Sequence, residues 1–181
     1  MNQISKMAVH PKIPPFDYIV SKLKAWHSDL NPNNDADDLS KLKIMKLLFF
    51  VVAISSNRDQ EGLLQTFDNF MALPYGHVES DIYANIDNSE SYLFNDISLN
   101  LKPNSQPTDV DIELKDTIDN AINKLRLANQ NLINYRAFDL VDISHKWQSW
   151  KTMYSLARKS GRYSMVIPKE MIMTELKTFV L

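Results

Sequence analysis

Cysteine is absent from this 181-residue chain, which excludes disulfide staples and thiolate metal sites. Glycine occurs only at positions 62, 76 and 161. Glycines that far apart do not build the clustered loop whose backbone amides cradle a phosphate, which argues against nucleotide binding by that route. Long apolar runs are also missing: the longest, from Leu47 to Ile54, is eight residues, against roughly 20 for a membrane-spanning helix. No membrane partner is expected. The histidines at 10, 27, 77 and 145 lack the four-residue helical spacing of a zinc peptidase pair, and neither a metal nor another cofactor is expected. No basic, apolar, small-residue leader opens the sequence, so the expected compartment is the cytoplasm.

What the chain does have is 44% hydrophobic and 10% aromatic content, enough to bury one sizeable core. The net charge of -2 hides an asymmetry. Asp68 to Asp119 holds eleven carboxylates against Lys102 and Lys115, whereas residues 151–181 hold six basic and two acidic side chains. The acidic middle would repel a phosphate backbone and the basic residues are scattered, so direct nucleic-acid binding is not expected. A basic protein partner suits the middle better, although many of these acids also fit helix first turns and solvated faces.

Along the chain, residues 1–12 read as a flexible lead-in and 13–181 as a single domain. Pro14 and Pro15 open a helix whose stripe is Phe16, Ile19, Val20, Leu23 and Trp26. Asp37 or Asp38 can cap a second helix, apolar nearly all round and therefore central, with Lys41, Lys43 and Lys46 on an early polar side. Pro74 and Gly76 mark a turn, followed by a short helix over 78–86. Asn95 to Thr108 reads as the main loop, Thr108 as the cap of a long helix with Leu114, Ile118, Ala121, Ile122, Leu125, Ala128 and Leu132 on one face. A short helix around Leu140, a packed turn at Trp147 and Trp150, and a last helix from Pro168 to Phe179 complete the series. Tyr163 to Ile167 could be a strand paired with Phe67 to Leu73. The expected fold is mainly α, a single-domain bundle of about six to eight helices with room for a small two-stranded β ribbon.

No catalytic constellation stands out. Ser144 beside His145 is not a nucleophile and base pair, because neighbouring helical side chains point about 100° apart. His77 and His145 could meet with Asp81 or Asp142, but each reads first as a structural histidine. Tyr75, Tyr83, Trp147 and Trp150 suit either the core or an aromatic anchor for a partner.

Three ordered blocks carry the remaining information: Leu42-Lys43-Ile44-Met45-Lys46-Leu47-Leu48-Phe49-Phe50, Tyr75-Gly76-His77-Val78 through Tyr83, and Leu140-Val141-Asp142-Ile143-Ser144-His145 followed by Trp147 and Trp150. In this order and spacing they resemble the Panacea domain, the SocA-like family of bacterial and phage antitoxins. The residues that carry its pattern are Lys46, Leu47, Gly76, Val78, Tyr83, His145 and Trp150, and these read as structural. Ile167, Pro168, Glu170 and Ile172 fit its closing helix, while His77 departs from the proline usual after the glycine. The resemblance implies a helical, phage-associated or bacterial protein that neutralises a cognate toxin by direct binding, without catalysis. The candidate contacts are Tyr75, His77, Tyr83, Asp109, Asp111, Glu113, Trp147 and Trp150, with carboxylates steering a basic toxin. The alternatives are a regulatory protein-binding adaptor, or a metal-assisted hydrolase built from His77, His145 and nearby carboxylates.

Overall fold

A central helix that is apolar on every side needs neighbours on every side, and that requirement organises the molecule. The computed structural model describes residues 9–33, 37–103, 105 and 108–181. Among them are seven α-helices: α1 (Ile13–Leu30), α2 (Lys41–Ser55), α3 (Ser80–Asn85), α4 (Ile112–Ala128), α5 (Ala137–Lys146), α6 (Gln148–Lys159) and α7 (Lys169–Thr174). The strands are β1 (Phe70–Leu73), β2 (Gly76–Glu79), β3 (Tyr92–Phe94), β4 (Leu99–Leu101) and β5 (Met165–Val166). They form an antiparallel sheet of order β2-β1-β5 and a separate β3-β4 hairpin. The mainly helical expectation holds. None of the described helices is long and apolar enough to cross a membrane.

Helix α2 is the hub, with α4, α5, β2 and the turn Gly62–Gln65 packed around it. Ile44 and every residue from Leu47 to Ala53 are fully buried. Ser40 caps this helix, its Oγ accepting the Lys43 amide at 3.3 Å. The two aspartates expected in that role are used elsewhere: Asp37 accepts the Leu39 and Leu99 amides, and Asp38 meets Lys43 Nζ at 2.6 Å. Of the expected polar side, Lys41 keeps partial exposure, whereas Lys43 and Lys46 are both 0% exposed.

Helices α1 and α4 supply the clearest stripes. Phe16, Ile19, Val20, Leu23 and Trp26 of α1 are completely enclosed, as are Ile118 and Leu125 of α4. Asp111 rather than Thr108 caps α4, accepting the Glu113 and Leu114 amides, and the helix ends at Ala128 before Leu132. Asp17 on α1 is buried and accepts the Ser89 hydroxyl at 2.7 Å and the Glu90 and Ser91 amides. That contact ties α1 to the segment leading into β3.

The sheets differ from expectation in extent. The ribbon of β1 with β5 is present, Met71 opposite Val166 and Ala72 opposite Met165, but β2 joins it on the other edge. The short helix expected over 78–86 is present as α3 but begins at Ser80, because Val78 and Glu79 belong to β2, which pairs with β1 across a two-residue loop. The 95–108 loop contains β4, folded back on β3; residues 104, 106 and 107 lie outside the described residues, as do residues 1–8 of the lead-in. The segment read as a packed tryptophan turn begins α6. The last helix is shorter than expected, and residues 175–181 run on without regular structure. They are fastened by side chains: Trp147 Nε1 donates to the Thr178 carbonyl at 3.0 Å, Asn129 Nδ2 to that of Phe179 at 2.8 Å and Lys146 Nζ to that of Val180 at 3.2 Å. The Phe179 ring closes on Phe50 and Trp147.

At the other end, Lys12 projects its ammonium among three carboxylates, at 2.6 Å from Asp68, 2.7 Å from Glu79 and 2.7 Å from Asp81. Glu79 is 0% exposed and its second oxygen caps α3 through the Ile82 amide at 2.7 Å. The Lys12 hydrogen bonds hold Asp68 and Asp81 below the usual carboxylate range. A depressed carboxylate stabilises the fold above its unfolded value, and that contribution is lost as pH falls through the folded value. Lys12→Met leaves the enclosed Glu79 charge without its cation and is expected to cost about 3 kcal/mol near neutrality. Urea unfolding of both proteins should show this gap shrinking in acid, as pH falls through the depressed values of Asp68 and Asp81.

Candidate functional site

The two-residue loop between β1 and β2 is Pro74-Tyr75, with Leu73 opposite Gly76. Proline presets the bend, and Gly76 takes φ +94°, a conformation that disfavours any side chain. Space forbids one too, since a Cβ at position 76 would lie 2.3 Å from Ser144 Oγ and 3.2 Å from Lys46 Nζ.

Four side chains from three helices grip this turn. From α2, Lys46 Nζ donates to the His77 carbonyl at 2.6 Å. From α5, Ser144 Oγ accepts the His77 amide at 3.1 Å and lies 2.8 Å from His77 Nδ1, while His145 Nε2 reaches the Pro74 carbonyl at 3.1 Å. From α6, Trp150 Nε1 donates to the Leu73 carbonyl at 2.8 Å. The His145 ring stacks on Trp150 at 3.9 Å, and Trp150 on Tyr154 at 5.0 Å. The residues of the three sequence blocks therefore meet at one hairpin.

The His77 ring lies inside the core, stacked 3.6 Å from Phe49. Its Nε2 is 2.9 Å from Ser149 Oγ, and Ser149 in turn donates its amide to Glu175 Oε2 at 3.0 Å. Burial, with Lys46 and His145 nearby, holds the ring's pKa well below its usual value, so it is neutral. We assign the tautomer with Nε2–H donating to Ser149 and the Ser144 hydroxyl donating to Nδ1. This joins a histidine to two serines, yet it is not a catalytic arrangement: His77, Ser144 and Ser149 are each 0% exposed and both ring nitrogens are occupied by hydroxyls. Nor do His77 and His145 converge as metal ligands, since His145 Nε2 faces a backbone carbonyl. Among the described residues the group spaced for a cation is Asp68, Glu79 and Asp81, and the Lys12 ammonium sits among them.

Outside, the turn borders a groove of about 320 Å³. Its floor is Leu42, Met45, Leu73 and Val78, and its walls include Tyr75, Tyr83 and Tyr163. These three tyrosines are 57%, 53% and 65% exposed, and Phe138, 60% exposed, packs edge-on against Tyr75. Lys41 Nζ lies 4.6 Å above the Tyr83 ring.

The predicted residues thus divide. Tyr75 and Tyr83 face solvent and Trp150 is half-buried beneath the turn. Trp147 and His77 are enclosed and present no surface to a partner. Asp109, Asp111 and Glu113 are exposed at the head of α4, apart from the residues lining this groove. Leu47 is core, Val78 part of the groove floor, and Gly76, Lys46 and His145 shape the turn. Ser149, Tyr163 and Glu175 are not among the site residues expected from sequence; of the three, Ser149 lies within the third block, between Trp147 and Trp150.

The antitoxin SocA-like, Panacea domain model matches residues 44–151, a stretch that includes every side chain gripping the turn. The chain belongs to this family. No curated protein and no solved structure matches it. In this Panacea domain Lys46, Gly76, His145 and Trp150 share a common task, which is to fix one exposed loop.

Burial lowers the Lys46 pKa from 10.5 to about 7. Between these values the unfolded chain binds the proton and the folded one does not, so stability should rise with pH across that window. Lys46→Met should remove this part of the slope in denaturant titrations between about pH 7 and pH 10. Gly76→Ala should destabilise by about 2 kcal/mol or more, from the positive φ and the overlap with Ser144, read as a fall in melting temperature.

Proposed function

We propose that this chain is an antitoxin that neutralises a cognate toxin in the cytoplasm by binding it directly through the Tyr75–Tyr83 groove, with no chemical step of its own. Family membership supports the toxin partner. The observation that favours this surface is the contrast at the turn: backbone held from below by Lys46, His145 and Trp150, aromatic faces open above. A fixed loop loses little freedom on binding, and exposed tyrosines offer large contact area with few rotatable bonds.

The binding unit is residues 13–181 acting as one domain, with protein and not nucleic acid as its partner. His145 serves by positioning Pro74, and its removal should lower both stability and neutralisation.

Co-expression with the small open reading frame beside its gene tests this reading. That reading frame alone should arrest growth, and the chain should rescue it and co-purify with its product. Tyr75→Ala combined with Tyr83→Ala should abolish rescue while leaving the melting temperature within about 2 °C of the parent, since neither ring is in the core. A harmless neighbour with no co-purifying product would overturn the antitoxin reading in favour of a regulatory adaptor.

A further inference from the structure

The groove has a charged flank that toxin binding alone does not explain. Helix α6 ends at Lys159, Gly161 takes φ +70°, and the Arg162 amide turns back to the Ala157 carbonyl at 2.8 Å. The chain then passes through Tyr163 into β5, beside the end of β1. This corner exposes Arg158, Lys159 and Arg162, and none of the three forms an ion pair among the described residues. Tyr163, the next residue, lines the groove. The charged residues in the groove lining itself, Lys41 and Asp96, balance, and the exposed carboxylate near the turn, Asp142 beside His145, is set against the three cations of this corner.

We infer that the partner segment received here is apolar with carboxylates on its flank. Its apolar side chains fill the floor made by Leu42, Met45 and Val78, and its acids face Arg158, Lys159 and Arg162. The inference rests on the groove being the toxin-binding surface. It reverses the charge sign suggested by the acidic middle of the sequence. Of those acids Asp96 lines the groove, Glu79 and Asp81 are held by Lys12, and Asp109, Asp111 and Glu113 lie outside the lining at the head of α4, where Asp111 is already engaged as a cap. Uncompensated cations beside an apolar cleft attract and orient an acidic partner before contact, an effect that appears in association rates and is screened by salt. Arg158 and Lys159 also suit the carbonyl end of α6, a role that a melting temperature reads and an association rate does not.

The test is stopped-flow association of the intact chain with the purified product of the neighbouring open reading frame, at low and high salt. R158E/K159E/R162E should slow association about tenfold at low ionic strength and converge on the parent rate at high salt. D109K/E113K should not slow it. If D109K/E113K is the slower variant, or neither differs from the parent, the charge assignment is overturned, while loss of rescue in the Tyr75 and Tyr83 double variant would still uphold the groove. If that double variant rescues normally, the groove reading fails and this inference falls with it.

Discussion

A buried ammonium on a backbone carbonyl is the contact around which the rest of the architecture is arranged. Lys46 sits in the middle of the most enclosed helix, with the His77 carbonyl 2.6 Å away as its hydrogen-bond partner. A charge in such surroundings costs several kcal/mol, and burial answers by drawing the lysine toward neutrality. Keeping that nitrogen satisfied requires β2 to lie against α2 in one register. A slip of one residue would turn His77 outward and leave both the amine and the carbonyl without partners. The register then aims the His77 ring at Ser144 and Ser149, which places α5 and the start of α6.

Sequence reasoning reached the parts governed by a single periodicity. The stripes of α1 and α4 are legible because one face meets the core and the other meets water, and the residues at three- and four-step intervals are those found buried. It misplaced Lys43 and Lys46 because lysine in an apolar helix is ordinarily read as the solvated side, and nothing local announces that a distant carbonyl will receive it. Strands of three or four residues such as β2 and β4 carry too short an alternation to separate from turns. Helix α6 was obscured because Trp147 closes α5 and opens α6 with one extended residue, leaving no gap rich in turn formers. As for the site, the residues were legible as a pattern, but their purpose was not, because their convergence on residues 73–77 is entirely tertiary.

The division between His77 and Tyr75 shows how the turn combines two demands. Two residues apart on a tight loop, one ring is locked between Phe49 and two hydroxyls while the other faces solvent. The buried histidine is accommodated because Ser144 and Ser149 satisfy both of its nitrogens.

The spacing of the grips along the chain sets an order of events during synthesis. Lys46 contacts a residue 31 positions later, while Ser144, His145 and Trp150 reach back 67, 71 and 77 positions. Contacts so distant in sequence close late, since the intervening chain must first be made and gathered. A ribosome that has released only the first hundred residues has delivered Tyr75 and Tyr83 but neither Tyr163 nor any of the clamps from α5 and α6. The turn at residues 73–77 therefore takes its held shape only once the last third of the chain has emerged, and a chain cut short before α5 carries the turn's sequence without its shape.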